Sequence, residues 1–221
     1  MIPALAVPVL GVGNHGVAAL SHPQAAVTHQ NTASFSDTLN IGAAAPDRIV
    51  VVVVQSYDGT SSPLVSAITI AGVTPTLVQG ATSRRASLIA FAPVPTGTTA
   101  AVAITMASNT ENVLVDLFTI TGCTGLVDSD SETLTSTGTT ISALGLTAPA
   151  DSVVVAVAGV GNDATVSWSA LTKYADQEIN ATFNERFSSA AGIVSSPLSN
   201  TTLTMTHGSA NNGSIAAAVF Y

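Results

Sequence analysis

Alternating carboxylates are the first residues in this sequence with a pattern that could bind a metal. Asp128, Asp130 and Glu132 are separated by single serines, and calcium loops place their oxygen ligands at alternate positions in this way. The glycine and the distal glutamate of an EF-hand are missing, so a solvated linker is the competing interpretation. These three residues are the calcium candidates, and the sequence predicts no cofactor and no catalytic residue.

A glycine motif near the N-terminus has the spacing of a dinucleotide-binding loop. Gly11-Val-Gly-Asn-His-Gly16 fits G-x-G-x-x-G after an apolar run, and Asp37 stands at about the distance of a ribose-binding acid. Such a loop must open a helix, but Pro23 soon stops the next segment, and Pro8 interrupts the supposed strand. The motif is therefore not predicted to bind a nucleotide.

Side chains for other chemistry are scattered. His15, His22 and His29 lie seven positions apart, a spacing that does not converge on one metal ion in an extended segment. No G-x-S-x-G motif marks a serine nucleophile. Glycoside hydrolysis needs two facing carboxylates. The candidates for that role, all expected in loops, are Asp163, Asp176, Glu178 and Glu185.

Aromatic residues in the second half of the chain suggest carbohydrate binding as a further hypothesis. Trp168, Tyr174 and Phe183 supply most of the aromatic content there and could form a stacking platform. Packing in a core is the ordinary role of aromatic side chains in a chain that has so few of them. Surface glycans are therefore possible ligands only under this third hypothesis.

The composition separates the chain from several functional classes. Of its 221 residues, 47% are hydrophobic and only 8% are charged, whereas about a quarter of a typical globular protein is charged. The net charge is −8 with five Lys and Arg, so no cationic surface can be assembled for nucleic acid or an anionic membrane. Uncharged faces are typical of a protein that packs against identical copies or a larger assembly.

The apolar N-terminus predicts neither export nor membrane insertion. Residues 1–10 have no cationic region, and Pro3 and Pro8 interrupt them. No apolar run in the sequence reaches the length of a transmembrane helix. We therefore expect synthesis in the host cytoplasm followed by assembly.

Strand patterns dominate the rest of the chain. The β-branched run Arg48–Val54 predicts a strand buried on both faces. Alternating segments at 67–71, 101–106 and 113–120 predict further strands, and the cluster at 107–110 predicts a turn between the last two. No amphipathic helix is evident, so the sequence predicts an all-β protein of antiparallel sandwich units, jelly-roll-like or immunoglobulin-like.

An internal repeat indicates two such units in tandem. The segment Ala45–Val53 (APDRIVVVV) resembles APADSVVVA at 148–156. Phe118 has a counterpart in Phe220, and proline landmarks upstream keep the same spacing. Chance similarity between valine-rich strands is the competing explanation.

The repeat sets the predicted boundaries: an extended N-terminal arm at 1–31, a first sandwich repeat at 32–124, a linker at 125–136 and a second sandwich repeat at 137–221. The arm could add a strand to an open sheet edge of a neighbouring copy. The alternative is a first strand folded against its own unit. Deletion of the arm distinguishes the two, since only the second predicts global unfolding.

Two stretches resemble a known class of proteins. Residues 65–78 (VSAITIAGVTPTLV) resemble a hairpin of the pattern V-x-I-G-G-V-x-x-T-x-V, and residues 87–98 (SLIAFAPVPTGT) resemble the S-x-W-x-A-x-V-P-T-G-T segment that often follows it. Together they resemble a widespread class of phage and prophage virion proteins, over about residues 40–122. This sequence departs at Ala71 and Phe91. The resemblance implies a β-sandwich on a head, tail or fibre, and transfers no catalytic residue.

These observations favour a non-enzymatic virion protein, either a capsid decoration or a tail or fibre component. It would form homo-oligomers and bind other virion proteins through its arm and its uncharged β faces. The alternative is an extracellular filament, pilus or adhesin subunit that polymerises by strand donation. A carbohydrate-binding module is the third hypothesis.

Overall fold

The computed structural model describes residues 16–161, 164–180, 184–210 and 212–221. These residues form strands and connecting turns, and the predicted all-β class is confirmed. Within them, no helix is long and apolar enough to cross a membrane. The strands are β1 (Ala19–Asn40), β2 (Ile49–Tyr57), β3 (Val65–Ile70), β4 (Thr76–Ala81), β5 (Arg85–Pro93), β6 (Thr99–Thr121), β7 (Leu126–Leu134), β8 (Gly138–Ala148), β9 (Ser152–Gly161), β10 (Ser167–Trp168), β11 (Thr172–Asn180), β12 (Glu185–Val194), β13 (Leu198–Ala210) and β14 (Gly213–Phe220).

Strands β1 to β6 form a two-layered sandwich, which we call unit 1. Its inner sheet has the order β1-β6-β2-β5-β4. β1 and β6 are long strands that continue beyond the inner sheet. In this second part, residues 34–40 of β1 pair with residues 99–105 of β6. β3 joins the other side of β6, and the three segments form the outer sheet of unit 1. Aliphatic side chains fill the space between the two sheets.

Strands β7 to β14 form a second sandwich, unit 2, with the same arrangement. Its inner sheet has the order β7-β14-β9-β12-β11, and its outer sheet has the order β10-β13-β8. β7 and β8 together take the place of the single strand β1, and β14 and β13 take the place of β6. The valine-rich strands β2 and β9 therefore stand at matching places in the two units.

The two inner sheets pack face to face, which explains the continuous valine runs. In β2, Val50 and Val52 pack toward the outer sheet of unit 1, while Val51 and Val53 contact unit 2. The residues of β9 from 153 to 160 alternate in the same way between unit 1 and the outer sheet of unit 2. The molecule thus has four successive sheets, with outer sheets on its two opposite sides.

The predicted N-terminal arm, residues 1–31, is wrong over the part that the structure describes as strand. Residues 19–31 belong to β1 and pair with β6, and Val27 packs against the core of unit 1. Pro23 is accommodated because β1 is an edge strand with a register shift between Ser21 and Gln24. Residues 1–15 lie outside the described residues.

The predicted linker at 125–136 is also wrong. Residues 126–134 form β7, an edge strand paired with β14 along its length. Asp128 and Asp130, at alternate positions, share one face of this strand and accept hydrogen bonds from β8. The carboxylates alternate with serines because neighbouring residues of a strand point to opposite faces. The linker interpretation did not take this period of two into account.

The predicted turn at 107–110 lies inside β6. Thr32 pairs with Thr110, and Ser34 pairs with Thr105, so four residues of β6 lie opposite one residue of β1. This irregularity falls where both strands leave the inner sheet and enter the outer sheet. The turn-forming sequence is therefore used as a bulge that bends a continuous strand.

Candidate functional site

A buried ion pair joins the two units. Arg85 begins β5 and Glu185 begins β12. Arg85 Nε donates to Glu185 Oε2 at 2.8 Å, and Nη2 donates to Oε1. The side chains are only 6% and 1% exposed. A Cβ at position 161 would lie 2.6 Å from Arg85 Nη2, so Gly161 provides the space for the guanidinium.

Burial raises the pKa of Glu185 to about 7, although the hydrogen bonds and the charge of Arg85 lower it. The negative charge of Glu111 raises it further. A carboxyl group with this pKa changes its charge near neutral pH, which an ordinary glutamate does not. The charge of this ion pair therefore depends on pH near neutrality.

The ion pair borders a polar cavity of about 460 Å³. The Arg85 guanidinium lies 5.1 Å from the centre of the Tyr57 ring. Glycoside hydrolysis needs two carboxyl groups that both face the sugar, but both oxygens of Glu185 are held by Arg85. The described lining consists of Tyr57, Ser83, Arg84, Arg85, Gly161, Glu185 and Asn212.

The other carboxylates proposed for glycoside hydrolysis have separate partners. Asp176 accepts hydrogen bonds from Lys173 and from Arg186, the latter at 2.6 Å. Burial raises the pKa of Asp176, but these hydrogen bonds hold it below its ordinary value. Glu178 is exposed on β11, and Asp163 lies outside the described residues. Asp176 and Glu185 are therefore each held by ion pairs of their own.

A second buried cluster contains the residue types of a catalytic triad without its geometry. Asp116 Oδ1 lies 2.6 Å from His22 Nε2, and Asp116 Oδ2 accepts a hydrogen bond from Ser189 Oγ at 2.5 Å. In a triad the histidine lies between the other two and takes the serine proton. Here the aspartate lies between them, so His22 cannot act as a base on Ser189. The cluster joins β1 and β6 of unit 1 to β12 of unit 2.

Sequence reasoning missed both of these clusters. Arg85 and Glu185 are 100 residues apart, and Asp116 and Ser189 are 73 residues apart. Only the packing of the two inner sheets brings them together. The one available signal was the presence of Arg85 and Asp116 in strands that are otherwise strongly apolar, because buried charged groups are normally paired.

A third polar cluster is uncharged. Ser87 Oγ donates to Gln55 Oε1 at 2.5 Å, and Gln55 Nε2 donates to Ser214 Oγ at 3.3 Å. All three residues are fully buried. A Cβ at position 159 would lie 2.5 Å from the Gln55 Cδ. Gly159 is thus required for the Gln55 side chain to reach across from unit 1 into unit 2.

The three calcium candidates lie on β7, and the two aspartates among them accept hydrogen bonds from backbone amides of β8. Asp128 Oδ2 accepts a hydrogen bond from the Thr147 amide at 2.7 Å, and Asp130 Oδ2 accepts one from the Leu144 amide at 2.6 Å. Glu132 is exposed. Within the described residues, no group of three or more His, Cys, Asp or Glu side chains could hold a metal. In unit 2, the two aspartates connect β7 of the inner sheet to β8 of the outer sheet. In unit 1, the continuous strand β1 makes this connection.

The described histidines lie in three different environments. His22 pairs with Asp116, and its ring centre lies 4.8 Å from that of Tyr174. His29 pairs with Asp37 at 2.7 Å. His207 is buried in unit 2. The structure therefore does not bring these three together, and His15 lies outside the described residues.

The predicted aromatic platform is only partly described, because Phe183 lies outside the described residues. Trp168 packs against the core of unit 2 and donates from Nε1 to Ser188 Oγ at 2.9 Å. Tyr174 is 39% exposed but packs against His22 and Phe118. Both described rings therefore have packing roles.

The outer sheets are almost free of charge. The strands β8, β10 and β13 contain no Asp, Glu, Lys or Arg, and the outer segments of unit 1 contain only Asp37, which is bound to His29. Leu144 of β8 is 52% exposed, but most other residues that point outward are small. They include Ser34, Ser36, Thr38, Ala67, Thr69, Ala101, Ala103 and Thr105 in unit 1, and Thr140, Ser142, Ser167, Thr204 and Thr206 in unit 2.

Comparisons with known proteins identify no family. No family model matches the chain, and no curated protein matches it. Among solved structures, the chain is similar to the major capsid protein P2 from bacteriophage PM2, with 9% sequence identity and a TM-score of 0.27. The alignment covers 92% of this chain and 97% of that chain. A likeness at this level is below that of two proteins with a common fold.

Proposed function

We propose that this protein is a non-enzymatic structural component of a phage particle, either a capsid decoration or a tail or fibre component. Its contacts are made by the two outer sheets, which pack against other copies or against other virion proteins. The observation that carries this proposal is the absence of charge from the described strands of both outer sheets, apart from the paired Asp37. Covering such a face removes little charge from water, and therefore costs little.

The interior of the molecule supports the same function. The apolar cluster between the inner sheets contains residues of both units, and the Arg85–Glu185 pair and the Asp116–Ser189 hydrogen bond cross the same interface. The two outer sheets are thereby held at a fixed distance and angle. Symmetric assemblies need such fixed relations, since each subunit repeats the same contacts, and many weak contacts together give tight attachment.

The sequence resemblance supports the location. The hairpin at 65–78 and the segment at 87–98 supply β3, most of β5 and the turns beside them. Both segments resemble segments of phage and prophage virion proteins, and both lie in unit 1. They do not distinguish a head from a tail or a fibre, so the proposal extends to all three.

The test of location is immunogold electron microscopy on purified phage particles from the producing culture, with an antibody against this protein. Gold on capsids, tails or fibres is the expected result, and it identifies the part that carries the protein. Gold on cell-attached filaments instead would overturn the proposal and favour the filament subunit.

The test of the contact surface is charge insertion. Thr105→Arg and Thr204→Arg each place a cation on an outer sheet, and Thr133→Arg, at an exposed position of β7 in the inner sheet, is the matched control. All three proteins should keep the β-sheet circular dichroism spectrum of the wild type. We expect the first two to be lost from particles and the control to be incorporated. Normal incorporation of all three contradicts a role for the outer sheets.

A further inference from the structure

The arginine of the buried ion pair keeps hydrogen-bond donors for the cavity beside it. A guanidinium has five N–H groups in a planar fork. Arg85 directs one edge of this fork, formed by Nε and Nη2, at the Glu185 carboxylate. The second edge, which contains Nη1, makes no hydrogen bond to a described residue, although the side chain is only 6% exposed and lines the cavity. Since buried polar groups are normally paired, this edge is suited to bind a ligand.

Three neighbouring side chains add further donors to the cavity. Asn212 Oδ1 accepts a hydrogen bond from Thr82 Oγ1 at 2.9 Å, which leaves the Nδ2 amide of Asn212 as a donor. Ser83 and Arg84 are exposed and line the same cavity, and their side chains make no hydrogen bond to a described residue. Both oxygens of Glu185 are already held by Arg85. The side-chain groups of the described lining that remain available are therefore mainly donors, and they require a ligand with acceptors.

The charges near the cavity favour a ligand with a single negative charge. The two arginines are opposed by Glu185 and by Glu111, whose charge also acts on Glu185. The site therefore offers directed donors rather than a strongly positive field. Removal of a dianion such as phosphate from water costs more than removal of a monoanion. A carboxylate also matches the planar edge of a guanidinium through two parallel hydrogen bonds.

The cavity is much larger than a carboxylate group. Its volume of about 460 Å³ lies within the range of about 300–1,000 Å³ that is typical of pockets for small molecules. Most such pockets are apolar, but the described lining here is polar apart from Gly161 and the ring of Tyr57. The remainder of the ligand should therefore be polar as well, and hydroxyl groups can pair with Ser83 and Asn212.

We propose that this cavity binds an acidic sugar, whose carboxylate contacts Arg84 and the second edge of Arg85 while its hydroxyl groups face Ser83 and Asn212. The site lies between the units, where β2 and β9 end and β5 and β12 begin. It is separate from the predicted aromatic platform, whose described rings have packing roles. The inference is independent of the proposed function, because it does not involve the outer sheets.

The first experiment titrates the full-length ¹⁵N-labelled protein with galacturonate and with glucuronate, and follows the Arg85 Nε–H signal and the backbone amides by NMR. We expect saturable shifts of the Arg85 signal and of the Gly161 and Asn212 amides. The Thr204 amide, in the outer sheet of unit 2, should not shift. Galactose and glucose, the neutral counterparts, should cause no shifts. Equal binding of neutral and acidic sugars, or no shifts with either acid, would overturn the proposal.

Acetate and inorganic phosphate distinguish a sugar site from a simple anion site. Both are titrated in the same way, and both should bind more weakly than the acidic sugars. Acetate lacks the hydroxyl groups, and phosphate carries the larger charge. Binding of either one as tightly as the sugars would overturn the assignment of an acidic sugar.

Two variants test the residues of the site. Arg84→Met removes an exposed cation and should weaken binding by about tenfold or more, the loss expected for a hydrogen bond between charged groups. Asn212→Asp keeps the acceptor for Thr82, replaces the donor with a negative charge, and should also weaken binding. The matched control is Lys173→Met, which pairs with Ala190 on β12 at a distance from the ion pair and should leave the affinity unchanged. Wild-type affinity in both site variants would overturn the proposal.

The ion pair supplies a readout in the pH dependence of binding. The pKa of Glu185 is about 7, so its negative charge beside the ligand is mostly lost between pH 8 and pH 6. The groups that act on it are Arg85, Arg84 and Glu111, and Tyr57 lies beside the arginine. Acidic sugars should therefore bind more tightly at pH 6 than at pH 8, and Glu185→Gln should reduce this difference. Equal or weaker wild-type binding at pH 6 would contradict a ligand carboxylate next to Glu185.

Discussion

Replacement of Arg85 by methionine tests the ion pair between the units most directly. Methionine keeps most of the side-chain volume but leaves Glu185, which is 1% exposed, without its partner. Removal of one partner from a buried ion pair costs about 3–5 kcal/mol. We expect a loss of this size in the free energy of unfolding at pH 8, measured by urea denaturation. Arg84→Met, at the exposed neighbour, should change stability by less than about 0.5 kcal/mol.

The pH dependence gives the same test a second, independent readout. Glu185 titrates at about 7 in the folded state and near 4.5 when unfolded. Between these values the folded state binds more protons, so stability must fall as the pH rises. The difference of about 2.5 in pKa corresponds to at most about 3 kcal/mol. The wild type should therefore be more stable at pH 5 than at pH 8.

Substitution of Glu185 by glutamine isolates this effect. Glu185→Gln removes the titrating group, so its stability should depend less on pH between 5 and 8 than that of the wild type. Arg85→Met should be least damaging at pH 5, where the carboxyl group can take up a proton. A loss below about 1 kcal/mol for Arg85→Met at pH 8, or an unchanged pH profile for Glu185→Gln, would refute the reasoning.

Three further predictions concern the same interface. Gly159→Ala should lower the free energy of unfolding, measured by urea denaturation, by about 2 kcal/mol or more because the added Cβ displaces Gln55. The control Gly125→Ala should lower it by less than about 0.5 kcal/mol, since a Cβ there meets nothing within 4 Å. His22→Ala should cost about 1–3 kcal/mol because buried Asp116 loses a hydrogen bond, and an unchanged urea midpoint would contradict this. Burial raises the pKa of the Cys123 thiol, so an alkylating reagent at pH 8 should react slowly with the folded protein and quickly in urea, and equal rates would show that the thiol is not protected.

The sequence predicted those parts of the fold that follow from local patterns. The run at 48–54 could be read as a strand buried on both faces because every residue of β2 is covered, on one side by the outer sheet and on the other by unit 2. β1 could not be predicted in this way. Most of its side chains are half-buried or exposed, and Pro23 interrupts it, so neither an apolar run nor a clean alternation marks the strand.

The clusters between the units depend on contacts that no local pattern contains. The alternation of Asp128 and Asp130 was correctly seen as a repeat of two residues, but their hydrogen-bond partners lie on β8. Arg85 and Glu185 were visible as charged residues beside strands, but their pairing needs the face-to-face arrangement of the inner sheets. Sequence reasoning therefore identified candidate residues and could not assign their partners.

The ion pair at the beginning of β5 and β12 also bears on how the two units recognise each other. Arg85 comes from unit 1 and Glu185 from unit 2, so neither unit alone contains both charges. Two copies of the same unit would leave one of these buried charges without its partner, which is costly. The pair therefore favours association of unit 1 with unit 2 over association of either unit with a second copy of itself.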